Sequence, residues 1–169
     1  MRRRTMLALG TVALATVLAF LAVPGQAGIK GGFKARLTGY QETPSISTGA
    51  TGQFRARVNP AETEISFELS WSGLEGGDAA AAHIHLGQPG VAGGVVITLC
   101  GSPKPACPTG ASASISGTLT ASDVQALPAQ GIAVGELAEV LRAMRRGFTY
   151  VNVHTATFPG GEIRGQIRR

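Results

Sequence analysis

From Glu64 to Trp71 the chain alternates without a break, with Ile65, Phe67, Leu69 and Trp71 apolar and Glu64, Ser66, Glu68 and Ser70 polar. Successive side chains of an extended strand point to opposite faces, so this period of two fits a sheet with one buried and one wet face and fits no helix. The alternation recurs from Phe33 to Leu37, where Phe33, Ala35 and Leu37 oppose Lys34, Arg36 and Thr38 before Gly39. It recurs again from Gly52 to Val58, after which Asn59-Pro60 turns the chain. Phe54, Phe67 and Trp71 share the apolar stripe with aliphatic residues, which assigns them to a core. Thr43-Pro44 marks an extended or turn segment, because proline biases the residue before it away from helix.

Five further segments read as strands. They are Ala82 to Gly87, the continuous apolar run Val95 to Leu99, Ile115 to Leu119, Phe148 to His154, and Glu162 to Arg168 with Ile163 and Ile167 on one face. The unbroken run at Val95 predicts a strand buried on both sides. Helical spacing occurs at Leu137, Val140, Leu141 and Met144, with Gly147 as terminator and Arg142, Arg145 and Arg146 near the C-terminal end. Ser122-Asp123-Val124-Gln125 has capping-box spacing for a short helix that Pro128 stops. About eight short strands with one or two short helices predict an all-β fold, a β-sandwich or flattened barrel with Greek-key connections.

Arg2, Arg3 and Arg4 precede an apolar run from Met6 to Val23 and then Pro24-Gly25-Gln26-Ala27. A basic start, an apolar middle and small residues at the end predict a secretory signal peptide over 1–27, cleaved after Ala27, with 28–169 as a single domain. The alternative is an uncleaved anchor, since the run approaches the ~18–20 residues that span a bilayer. After cleavage no membrane span is expected. The mature chain keeps 12 basic against 10 acidic residues, a net of +2, so the high pI belongs mainly to the leader and a nucleic-acid partner loses its support. Cys100 and Cys107, the only cysteines, stand on either side of Pro103 and Pro105. In an exported chain they read as a disulfide closing a small loop, a local staple of about 2 kcal/mol, rather than as a thiolate metal pair, whose usual spacing is narrower.

The three histidines fall in two of the predicted strands. His83 and His85 share one face of their strand, with Ile84 on the other, while Tyr150, Asn152 and His154 share a face opposite Val151 and Val153. If the strands are close, three imidazoles converge on one patch, giving a three-nitrogen metal site with a position open to water or a weak fourth ligand. Tyr150 and Asn152 are placed to orient a ligand by hydrogen bonding. Arg164 would attract a small anion if it faced inward. The competing reading is that the histidines hydrogen-bond across strands, with Glu162 and Arg164 an ordinary surface pair. No Ser-His-Asp arrangement, carboxylate pair or nucleotide loop has supporting context, which leaves a hydrolase or kinase without a basis.

Ala82-His83-Ile84-His85-Leu86-Gly87 with Gly90 and Gly93-Gly94, then Gly147 to Thr155 and Pro159-Gly160-Gly161-Glu162-Ile163-Arg164-Gly165-Gln166, closely resemble the CHRD domain. This module is named after chordin and is also found in exported microbial proteins. A looser likeness is to copper-zinc superoxide dismutase, which also has a His-x-His strand and a distant histidine in a Greek-key sandwich. That likeness implies His83, His85 and His154 as copper ligands. No bridging fourth histidine or zinc-ligand insertion is present, so copper is favoured over zinc. An open metal position does not by itself imply turnover, and the expectation is an exported metal-binding protein rather than an enzyme. A structural or adhesive extracellular module with a protein or envelope partner is the first alternative, and a superoxide-handling copper enzyme the second.

Overall fold

The computed structural model describes residues 32–169; the predicted signal peptide lies outside the described residues. Eight strands form one antiparallel sheet: β1 (Phe33–Thr38), β2 (Thr51–Val58), β3 (Ile65–Ser72), β4 (Ala79–Leu86), β5 (Gly94–Cys100), β6 (Ala113–Leu119), β7 (Thr149–Thr155) and β8 (Ile163–Gln166). Their spatial order is β5-β4-β7-β8-β1-β2-β3-β6. The edge strands are nearly joined, because Val124, just after β6, bridges to Ile97 of β5 and the Gln125 amide donates to the Val96 carbonyl at 2.9 Å. The all-β class is therefore as expected, with all eight strands in one almost closed sheet.

The alternating sequences set which side is filled. Phe33, Leu37, Phe54, Ile65, Leu69, Trp71, Ile84, Val151, Val153 and Ile163 point into a shared core, while Lys34, Arg36, Gln53, Arg55 and Glu68 point out. β5 is buried over Val96 to Cys100, as its apolar run predicts. Helix α1 (Leu137–Arg146) buries Leu137, Val140, Leu141 and Met144 on the core and ends at Gly147, whose φ of 74° is one that L side chains rarely adopt. Its arginines stay near the surface, Arg142 paired with Glu139 and Arg145 with Glu62.

The expected helix near Ser122 is only a 3-10 turn over Ala121–Asp123, and its capping box runs from Thr120 to Asp123 rather than from Ser122 to Gln125. Val124 is drawn off into its bridge with β5 instead of continuing the helix. β8 is also shorter than its apolar pattern suggested, although the Arg168 and Lys34 backbones exchange two hydrogen bonds beyond its end. Cys100 and Cys107 are joined by a disulfide, with their Cα atoms 5.0 Å apart.

A candidate metal centre on the outer face of the sheet

β4 and β7 are neighbours, and their register places His83 opposite Asn152, His85 opposite Tyr150 and Ala81 opposite His154. Residues directly opposed across an antiparallel pair share a face. On the next strand Arg164 is opposite Asn152 and Gln166 opposite Tyr150, so the same face carries both. The core side belongs to Ile84, Val151, Val153 and Ile163, which puts the histidines on the outer side of the sheet. Loops cover them there. The turn after β4 reaches over through Gln88, Val91 and Gly93, and the loop after β7 through Pro159.

The candidate ligand atoms of His83, His85 and His154 all lie within 4.8 Å of one another. His85 Nδ1 is 2.9 Å from the Gly93 carbonyl and His154 Nδ1 is 3.0 Å from the Pro159 carbonyl. A carbonyl oxygen only accepts, so both Nδ1 atoms carry the proton and both Nε2 atoms present a lone pair. His83 Nδ1 lies 3.0 Å from His154 Nε2 and donates to it in the metal-free state. In its neutral form His85 Nε2 is buried with no hydrogen-bond partner, because the neighbouring Asn152 Oδ1 can accept from it only when the ring is protonated and is otherwise unpaired too. Buried polar atoms are rarely left unpaired. The three rings with this orphaned nitrogen fit a metal ion, and backbone carbonyls that fix the outer ring nitrogens are the usual support of ligating histidines.

Tyr150 holds His85 in place. The two rings stack with centroids 4.7 Å apart and planes 7° from parallel, and the Tyr150 hydroxyl accepts from the Gly93 amide at 3.1 Å. On the other face of Tyr150 the Arg164 guanidinium sits 3.4 Å from the ring centroid. Arg164 is thus turned inward, but it is engaged. It donates to Thr43 Oγ1 and to the Gln88 and Val91 carbonyls, which accounts for three of its five N–H donors.

The surface pairing of Glu162 with Arg164 is also overturned. Both are buried, and neither forms an ion pair with the other. Residues two apart in an extended segment share a face, but Glu162 lies just before β8 and is drawn to different loops from those that hold Arg164. Its carboxylate is consumed by four donors: the Glu75 and Gly76 amides and the Thr48 and Thr155 hydroxyls.

Sequence reading missed Glu42, whose segment was read only as an extended turn. Its carboxyl is buried beside Arg164 and Asn152, and burial raises its pKa to about 7 against the pull of Arg164. Gly93, which the sequence marks only as a signature glycine, lends its carbonyl to both His85 and Tyr150. A Cβ at Gly93 would fall 1.8 Å from the Leu86 carbonyl oxygen, so the glycine pair after β4 is required by close approach as well as by turning.

Burial pushes the histidines toward neutrality. His83 and His85 are lowered to about 4, chiefly by desolvation, with the neighbouring imidazoles adding to it, and His154 is lowered by burial as well. Unfolded imidazoles protonate near ~6.5, so between that pH and about 4 the unfolded chain binds more protons and stability falls with pH. Glu42 acts oppositely, holding a proton in the fold up to about pH 7 and losing stability as pH rises toward that value. Urea unfolding of chelator-treated protein is expected to show a midpoint that drops between pH 6.5 and 4. The slope should flatten in the variant His83→Gln/His85→Leu/His154→Gln. An acid profile unchanged in that variant would remove the histidines as its cause.

The CHRD domain family model matches residues 33–167. No curated protein and no solved structure matches the chain. The match spans all eight strands, from the first residue of β1 to just past β8, and takes in both histidine segments. The chain belongs to the CHRD domain family.

Proposed function

We propose that this is an exported CHRD-domain protein that binds a metal ion, copper before zinc, through His83, His85 and His154. The observation that carries the reading is the orphaned Nε2 of buried His85, close to two further imidazoles whose tautomers are set by protein acceptors. Three neutral nitrogen donors with no thiolate or carboxylate among them suit copper, and the open position would admit water or a small ligand. Bound there, the ion would supply Lewis acidity or one-electron chemistry. The protein's part is to hold the rings through Gly93, Pro159 and Tyr150, while His83, by moving its proton from Nδ1 to Nε2, would turn its Nδ1 lone pair toward the ion and remain neutral. Export is supported by the basic-then-apolar start and by the disulfide, a bond that persists in oxidising compartments.

Chelator-stripped protein titrated with Cu(II) and with Zn(II) tests this. About one equivalent of copper should bind, with nitrogen hyperfine structure in the electron paramagnetic resonance spectrum, and the triple histidine variant should take up none. Absence of uptake, or undiminished uptake in that variant, would overturn the proposal.

A structural or adhesive extracellular module is the second reading. It is favoured by the 3.0 Å His83–His154 contact, through which two of the three rings satisfy each other without an ion. A superoxide-handling enzyme rests only on the open position, and a turnover assay of the copper-loaded form decides it.

A further inference from the structure

The outer face of the sheet continues beyond the loops that cover the histidines, and on β1, β2 and β3 no loop of the described residues lies over it. There Lys34 and Arg36 of β1 and Arg55 and Arg57 of β2 are exposed. Lys34 stands directly opposite Arg55, and on its other side the backbone bridge sets it opposite Arg168. Three cations thus line up across adjacent strands, with Arg36 in the next row opposite Gln53. Directly opposed like charges ~5 Å apart weaken a sheet unless something offsets them. Little in the chain does. Within these three strands Glu68, opposite Arg55, is the one acidic residue, and among the described residues no ion pair involves Lys34, Arg36, Arg55 or Arg168. Residues 1–31 contain no acidic side chain.

These cations border a groove of about 800 Å³ whose other walls include Gln53, Gln166, Thr51, Ser70 and Ser72. Its donors are therefore of two kinds, fixed positive charges and neutral hydroxyl or amide groups. A linear ligand carrying both anionic groups and many hydroxyls matches that mixture. No aromatic side chain is exposed on this face of β1, β2 or β3 to stack the bases of a nucleic-acid single strand, and such stacking is the usual second element of a single-strand surface.

We infer that the outer face of β1, β2 and β3 is a binding surface for an acidic polysaccharide. The anionic groups of the glycan are held by Lys34, Arg36 and Arg55, with Arg168 at the edge of the groove, and its hydroxyls by the flanking amides and hydroxyls. The surface is separate from the histidine cluster and does not depend on a metal being bound there.

Biolayer interferometry on the immobilised protein tests it with four probes: polygalacturonate, dextran sulfate, uncharged dextran and a DNA duplex. Both acidic polysaccharides should bind, more weakly as salt is raised, and dextran should not. The variant Lys34→Ser/Arg36→Ser/Arg55→Ser should weaken binding by about tenfold or more, since each exposed charge pair is worth a factor of roughly two to five. The variant Arg142→Ser/Arg145→Ser/Arg146→Ser, which removes an equal charge from α1, should bind as the parent does. Circular dichroism checks folding, and Lys34→Gln/Arg36→Gln/Arg55→Gln keeps the aliphatic stems should the serine variant fail to fold. Failure of both acidic polysaccharides to bind, an equal loss in the helix variant, or DNA bound as tightly as the glycans would overturn the inference.

Discussion

Replacing Glu162 with alanine is expected to cost about 3–5 kcal/mol of folding stability, because each buried donor left without an acceptor costs roughly 1–3 kcal/mol. The side chain is fully buried and gathers four donors from three parts of the chain: Thr48 between β1 and β2, Glu75 and Gly76 before β4, and Thr155 at the end of β7. Alanine strands two backbone amides that have no alternative in view, whereas the two hydroxyls can turn elsewhere. Glu162→Gln should cost less, about 2 kcal/mol, since one carboxylate oxygen survives as an acceptor while the new amide group faces donors. Glu68→Gln, on an exposed face, should stay within about 0.5 kcal/mol. Urea midpoints for the three variants settle the order. A cost below about 1 kcal/mol for Glu162→Ala would mean that the loops it ties are independent of the sheet.

That result bears on why the strands were legible in the sequence and their lids were not. Apolar alternation at Ile65, Phe67, Leu69 and Trp71 is a direct consequence of burying one face of a sheet, so it can be read locally. The shared face of His83, His85 and His154 follows from the same period, once β4 and β7 are neighbours. Glu162, Glu42 and Arg164 belong to a different class. They are charged residues on the side of the sheet that alternation assigns to water, and they are buried because loops fold over them. Which loop covers which strand is a long-range fact. It leaves a trace only in glycines such as Gly93, where a backbone approaches too closely for a side chain. The short capping turn at Thr120 failed for the same kind of reason, since a tertiary bridge at Val124 outweighed local helix chemistry.

The charged residues buried under these loops also explain the alignment of the site. Arg164 lies against Tyr150, Tyr150 lies against His85, and the Gly93 carbonyl serves both rings, so the position of one candidate ligand is fixed by a column that starts two strands away. Such support restrains a ring more tightly than its own strand could, which is what holding an ion at ~2 Å would require.

His85→Leu separates ligand from scaffold, because the two roles predict opposite signs. In the metal-free protein His85 Nε2 is buried without a partner, a condition that costs folding energy, and leucine of similar bulk removes it. The one bond lost is His85 Nδ1 to the Gly93 carbonyl, and that carbonyl keeps the Tyr150 hydroxyl at 3.3 Å. The metal-free variant is therefore expected to be as stable as the parent within about 1 kcal/mol, or more stable, since an apolar replacement of matching shape is nearly neutral or favourable. With copper present the order reverses. A ligand at a hundred times its Kd stabilises the fold by about 2.7 kcal/mol, and the variant should gain little or none of this. Thermal or urea unfolding with and without Cu(II) measures both halves. If the metal-free variant instead loses more than about 2 kcal/mol, His85 is a structural histidine whose imidazole the fold needs, and the orphaned nitrogen is not there for an ion.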